Sequence, residues 1–180
     1  MKQPPPDFRS HDFLRQHLLA TMAFYDGRCL DPRGGFFQFF KDDGTVYDRD
    51  TRHLVSSTRF VITHAWMARH FPRHPRAAAW RAGMVHGLAY LTQAHRQPTG
   101  GFAWVLRQHD DGRAEVVDGT LHAYGHAFVL LAAAEAVKSG HAEARLLLDQ
   151  TYALMEARFW EPEHGLYADE ATPDWQLAPY

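Results

Sequence analysis

The stretch Gly34-Gly35-Phe36-Phe37-Gln38-Phe39-Phe40, followed by Asp42-Asp43-Gly44 and then Val46-Tyr47, is dense in aromatics and too short for a helix. An aromatic run, an acidic turn closed by glycine and an apolar return read as a β-hairpin. The pattern comes back as Gly100-Gly101-Phe102-Ala103-Trp104, turned by Asp110-Asp111-Gly112 and returning through Val116-Val117. A third Gly-aromatic segment, His164-Gly165-Leu166-Tyr167, follows. The segments start at Gly34, Gly100 and Gly165, about 65 residues apart, which marks an internal repeat. Repeated helical units stack or close into rings, because each buries its apolar face against the next.

Between these segments the apolar spacing predicts five helices. The first runs over Phe8 to Tyr25, with Ser10 as N-cap and a face built from Phe13, His17, Ala20 and Phe24 beside Leu14 and Leu18. The second spans Thr51 to Phe71 and stops before Pro72 and Pro75. The third spans Arg76 to His95, with Trp80, Val85, Leu88 and Leu91 on its apolar side, and the last two span Gly119 to Ser139 and His141 to Trp160. Gly83 and Gly87 are read as sites of close helix contact. The fold class that follows is all-α with short β-hairpins gathered at one rim: an α/α toroid. A closed toroid takes about twelve helices, so five make an incomplete ring. Such a ring exposes an apolar inner wall, to be covered by a missing C-terminal half or by self-association.

Hydrophobic residues make up 46% and charged residues 22% of the 180, which excludes a wholly disordered chain. Disorder is expected only for residues 1–7, with their three prolines. The net charge of -2 is spread along the chain, so no basic stripe marks a nucleic-acid or membrane partner. A single cysteine, Cys29, excludes an intramolecular disulfide and a cysteine-based zinc site. With no apolar leader at the N-terminus, the expected location is cytoplasmic.

Several of these stretches carry a family resemblance. Gly34-Gly35-Phe36-Phe37 with Asp42-Asp43-Gly44, then Thr51-Arg52-His53-Leu54-Val55-Ser56-Ser57-Thr58-Arg59-Phe60, resembles the N-acylglucosamine 2-epimerase family, and within it the mannose isomerase branch. So do Tyr124-Gly125-His126-Ala127-Phe128-Val129-Leu130-Leu131-Ala132 and Phe159-Trp160-Glu161-Pro162 through Gly165-Leu166-Tyr167-Ala168-Asp169-Glu170. The resemblance implies that residues 1–180 are the N-terminal half of a single (α/α)6-barrel domain, with a monosaccharide bound in its central funnel. It implies aldose–ketose isomerisation, typically mannose to fructose, without a metal or organic cofactor. It also implies that the proton-moving histidines come mainly from later helices, one after an Arg-Gly-x-Asn-x-Asn-Met-His type segment that would begin beyond Tyr180.

Five residues are candidates for binding the sugar. Arg59 lies mid-helix on a stripe with Val55, Ile62 and Trp66, so it is expected to be buried or to face a cavity. The resemblance places a sugar-contacting arginine at this position, where a guanidinium could stabilise a developing enediolate. Tyr124 matches a pocket tyrosine in the family's Tyr-x-His motif. His122 and His126 are one helical turn apart, a spacing compatible with a metal pair but lacking an evident third ligand; His126 reads either as a satisfied core histidine or as pocket lining. Trp104, at the expected rim, offers an aromatic face to sugar C–H groups, or simply covers a helix pair.

Isomerisation moves a proton between the first two sugar carbons through a cis-enediol, and histidine is the side chain best matched to that transfer near neutral pH. A bound aldose must first be opened by another acid–base group. A 2-epimerase acting on N-acylglucosamine or a related sugar, and a non-catalytic half-barrel with weak sugar binding, are the competing readings. A glycosidase would need two opposed carboxylates, whereas Asp42, Asp43, Asp110 and Asp111 are turn residues beside glycine.

Overall fold

The structure, a computed structural model, describes residues 5–178. Residues 1–4 of the segment expected to be disordered lie outside the described residues; 5–7 are exposed and irregular. Among the described residues five α-helices form: α1 His11–Tyr25, α2 Leu54–His70, α3 Ala77–Tyr90, α4 Ala123–Lys138 and α5 Ala144–Arg158. α3 continues into a π-helical turn, Leu91–His95. The described residues also form nine short strands: β1 Phe39–Phe40, β2 Val46–Asp48, β3 Thr51–His53, β4 Val105–Gln108, β5 Ala114–Asp118, β6 Leu121–His122, β7 Trp160–Glu161, β8 Leu166–Tyr167 and β9 Glu170–Ala171. All strand pairs are antiparallel: β1–β2, β3–β4–β5, β6–β9 and β7–β8. No helix among the described residues is long and apolar enough to cross a membrane.

The helices fall into two layers. α2 packs on both α3 and α4, and α4 packs on α5. The N-terminal ends of α2 and α4 meet at Trp104, which touches His53 and His122. Their C-terminal halves meet where Arg69 Nη2 lies 3.1 Å from Glu135 and Ser139 Oγ donates to the Ala65 carbonyl at 2.9 Å. α2 and α4 therefore run parallel as one layer, and α3 and α5 back them.

The sequence repeat is a repeat of backbone hydrogen bonds. Phe37 N–H donates to the Cys29 carbonyl, Ala103 to His95 and Ala168 to Phe159, at 2.7, 2.8 and 2.7 Å. Each front-layer helix is tied to the aromatic segment of the following unit: Leu54 N–H donates to the Trp104 carbonyl and Ala123 N–H to that of Asp169. The strands echo this, since β3 pairs with β4 as β6 pairs with β9.

The main core joins Phe36, Leu54, Val61, Leu88, Leu91, Phe102, Val129 and Leu147 from every helix but α1. The close contacts expected at Gly83 and Gly87 are present: a Cβ would come within 2.5 Å of His64 at one and of Phe36 and Val61 at the other. Two expectations need correction. α1 starts at His11 with Ser10 capping it, but the face of Leu14 and Leu18 is exposed, and Met22 is its one buried residue. This helix meets the body through Met22 and Leu19 against Met67, Ala68, Ala77 and Trp80, and through Phe24 and Tyr25, whose rings pack edge-on against Phe40 and Phe60. Val85 is likewise exposed, on the outer side of α3.

A buried ion network pins the first hairpin loop to the second. Asp31 and Arg52 are both buried and bonded to each other. Arg33 adds Nε and Nη2 bonds to Asp31 at 3.1 and 2.9 Å, and reaches Asp50 and Asp110 at 3.1 and 2.7 Å. Arg33 is held more firmly in its charged form by Asp31. Burial works against the Arg52 charge, and Asp31 opposes that loss.

Candidate functional site

Arg59 sits in the middle of α2, on the side facing the first turn of α4. Its guanidinium lies 5.0 Å from the centre of the Phe128 ring, and Nη2 is 3.5 Å from the Tyr124 hydroxyl. Both partners are on α4, four residues apart and so on one face. Arg59 is expected to be buried or to face a cavity; Val55 and Ile62 are buried, whereas Arg59 is exposed, like Trp66 and Tyr124, and lines a cleft. The stripe divides in burial: Val55 and Ile62 lie in the interior, whereas Arg59 reaches Phe128 and Tyr124 of α4 from the solvent side. Beside Arg59 is a cleft of about 280 Å³ between α1 and α2, lined also by Tyr25, Gln38, Ser56 and Thr63.

At the rim, half-buried Trp104 stands between two imidazoles. Its ring centroid is 4.3 Å from that of His53 and 4.1 Å from that of His122. These histidines occupy the N-cap positions of α2 and α4, yet neither side chain caps its helix. Trp104 comes this close because residue 125 has no side chain: a Cβ there would stand 2.8 Å from Leu54 Cδ2 and 3.0 Å from Trp104 Cζ3. Gly125→Ala is therefore expected to cost about 1–3 kcal/mol through overpacking. It should also shift the Trp104 indole N–H resonance; urea unfolding with a proton–nitrogen spectrum checks both.

Charge at this rim is set by burial and by neighbours. Burial pulls the His53 pKa below its usual value, and His122 and Arg59 act in the same direction. Partial burial pushes the Asp118 carboxyl up, but donation from Thr120 and the nearby His122 and His53 outweigh it, so its pKa is lowered. Glu170 is the cross-strand partner of His122, with Oε2 3.3 Å from the His122 Nδ1.

His126 is not brought to this surface. It is fully buried; its Nδ1 is 2.7 Å from the His122 carbonyl and its Nε2 accepts from the Phe102 N–H at 3.2 Å. With both nitrogens held by backbone, His122 and His126 do not form a ligand pair. Burial lowers the His126 pKa to about 4. His95 is its counterpart on the π-helical turn. Its Nδ1 lies 2.9 Å from the Ala103 carbonyl, and its Nε2 is 3.1 Å from Ser57 Oγ, which in turn accepts from Gln38 Nε2 at 2.9 Å. Gln38 also accepts from the His53 N–H at 2.7 Å. This chain runs from the core to the N-cap of α2 and fixes the backbone on both sides of Trp104.

Residues 35–180 match the sequence profile of N-acylglucosamine 2-epimerase (GlcNAc 2-epimerase). The chain belongs to the N-acylglucosamine 2-epimerase family. It is 48% identical over 176 residues to a D-mannose isomerase of Marinomonas mediterranea, a match covering 97% of this chain and 42% of that protein. It is 38% identical over 126 residues to a D-mannose isomerase of Thermobifida fusca, covering 66% and 28%. A crystal structure of a D-mannose isomerase superposes with a TM-score of 0.89 at 47% identity, over 98% of this chain and 43% of that one. A cellobiose 2-epimerase from Bacillus thermoamylovorans shares the fold, with a TM-score of 0.80 at 20% identity, over 94% and 43%. The matches thus span from 28% to 43% of the length of these relatives, less than half of each.

Within this family member, Arg59, Tyr124, Trp104 and His122 lie along one side of the α2–α4 layer, and His53 joins them. His53 lies inside the longer stretch Thr51 to Phe60 and is not singled out there by spacing. The signal was the parallel between Thr51-Arg52-His53 and Thr120-Leu121-His122, each Thr-x-His leading into a front-layer helix.

Proposed function

We propose that this chain is the first half of an (α/α)6 barrel, residues 1–180 of a single domain, and forms one wall of the sugar pocket of an aldose–ketose isomerase of the mannose/fructose type. One observation carries the reading: a guanidinium is held over Phe128 and beside the Tyr124 hydroxyl, on an open face of a chain 48% identical to a D-mannose isomerase. Arg59 binds the sugar oxygens and stabilises the negative charge that grows on the enediolate. Tyr124 donates to a hydroxyl and Trp104 packs on sugar C–H groups. The base that carries the proton between the two carbons belongs to the part of the family's length that this chain does not cover. A buried, free Cys29 fits the reducing cytoplasm.

The test is an assay for fructose from mannose, on the chain as it stands and on one extended to the full length of its relatives. Activity confined to the extended protein is expected; glucose as product in place of fructose would make it a 2-epimerase. In the extended protein, Arg59→Ala should lower kcat/KM by about 10²- to 10³-fold, the usual effect of removing one oxyanion donor. Because Arg59 is exposed, the unfolding midpoint should stay in place, and steady-state kinetics beside thermal unfolding reads the two effects separately.

A further inference from the structure

Gln38 is the one polar side chain in the run Phe36-Phe37-Gln38-Phe39-Phe40. The repeat sets it where the second unit has Trp104, one residue past the matching N–H donors of Phe37 and Ala103. Its Oε1 accepts from the His53 N–H at 2.7 Å, and its Nε2 donates to Ser57 Oγ at 2.9 Å and to the His53 carbonyl at 3.3 Å. Both amide hydrogens are thereby used. Gln38 lines the cleft beside Arg59, but it has no donor left for a ligand and acts through its neighbours.

The backbone at each end fixes the direction of every bond. Burial keeps His95 neutral near pH 7 by lowering its pKa to about 4. A carbonyl can only accept, so the His95 proton sits on Nδ1, 2.9 Å from the Ala103 oxygen. Nε2 then carries the lone pair, and Ser57 donates to it across 3.1 Å. With its own hydrogen spent, Ser57 Oγ accepts from Gln38. At the other end the His53 N–H requires the amide oxygen, so both ends demand the same orientation of the Gln38 amide. The chain of bonds finishes on Ala103, whose N–H also donates to the His95 carbonyl at 2.8 Å. Trp104 follows directly, its own carbonyl accepting from the Leu54 N–H at 2.9 Å. His53, whose backbone Gln38 holds, sets its ring 4.3 Å from that of Trp104.

We propose that Gln38 is a positioning residue, which holds Trp104 through His53 on one side and through Ser57 and His95 on the other, at the place where the indole packs on the sugar; this rests on the sugar-pocket reading above. A ring already fixed in place costs no ordering when the sugar arrives, which strengthens binding. The indole touches sugar C–H groups alike in the bound sugar and in the transition state. Losing Gln38 therefore raises KM and leaves kcat in place.

Gln38→Glu keeps the shape and the acceptor for the His53 N–H but removes the donor to Ser57. Ser57 then donates to the carboxylate, and His95 Nε2 takes a proton in order to bond Ser57. The new carboxylate favours that proton, against Arg52 and His53, which disfavour it; the Tyr90 ring, edge-on at 5.6 Å, is the other close neighbour. Long-range proton–nitrogen spectra of the chain as it stands should show an unprotonated Nε2 at pH 7, and Gln38→Glu should move the His95 titration upward. A Gln38 that only fills space leaves that titration where it is and contradicts the assignment. Mannose is then titrated against the Trp104 indole N–H. Its dissociation constant should rise about tenfold in Gln38→Glu. Ser57→Ala should move it in the same direction; this variant spares the Gln38–His53 bonds, adds no charge beside Arg59, and serves if the buried carboxylate prevents folding. In the protein extended to the length of its relatives, KM should rise by a like factor, with kcat within about twofold. Unchanged mannose affinity in folded Gln38→Glu and Ser57→Ala chains overturns the positioning role and leaves the isomerase reading standing, as does a fall in kcat at constant KM. No mannose shift at Trp104 or Arg59 of the unaltered chain defeats the sugar-pocket reading, and the role of Gln38 with it.

Discussion

Between pH 7 and pH 4 the folded chain should lose about 6 kcal/mol of stability, from two buried histidines. Burial is the main cause that lowers His95 and His126 to about 4, and the backbone carbonyls they face oppose it only in part. In the unfolded chain both titrate near 6.5. Between these values the unfolded state binds more protons than the folded one, so acid favours unfolding. The stabilising contribution is complete above about pH 6.5 and is lost as the pH falls toward about 4, roughly 3 kcal/mol for each residue. His64, also lowered by burial, acts in the same direction. Urea unfolding at intervals from pH 7 to pH 4 measures this. Stability that holds level down to pH 5 would mean that the two rings are solvated or already charged in the fold.

Asp31→Ala should cost about 3–5 kcal/mol, the range for removing one partner from a buried ion pair. Arg52 is fully buried and its Nε already lacks a partner. Without Asp31, its remaining bonds are Nη1 donations to the Arg49 and Thr51 carbonyls, at 2.9 and 3.1 Å. Arg33 would keep Asp50 and Asp110, so the second hairpin stays attached while the first loop loosens. Chemical denaturation gives the size of the loss. A cost under about 1 kcal/mol would show that water reaches Arg52, as for a surface ion pair.

The repeat of helices and short hairpins was legible because it writes itself twice in composition: paired glycines, an aromatic run and an acidic turn recur at one spacing, and the backbone bonds at Phe37, Ala103 and Ala168 recur with it. The helices were legible from their apolar spacing, to within a few residues at each end. Burial was less so. The stripe of Val55, Arg59, Ile62 and Trp66 is continuous in sequence, but which part of it meets α4 depends on how two parallel helices pack. The Asp31–Arg52 pair left no periodic trace, since its members lie in a loop and a three-residue strand 21 positions apart. His126 carried the opposite problem: its spacing from His122 suggests a pair of side chains, whereas the ring bonds the His122 backbone. The place of Arg59 in mid-helix was readable; its contact with Phe128 and Tyr124 required knowing that α2 and α4 are neighbours across 65 residues of chain.

The central claim is that the open side of the α2–α4 layer is a sugar-binding wall, and a mannose titration followed by proton–nitrogen spectra tests it most directly. Shifts that saturate together are expected at the Arg59 guanidinium and the Trp104 indole N–H, weak in this chain, with the Trp104 shift lost in Arg59→Ala. Shifts confined to the outer faces of α3 and α5, or none at mannose concentrations that saturate its relatives, would contradict it.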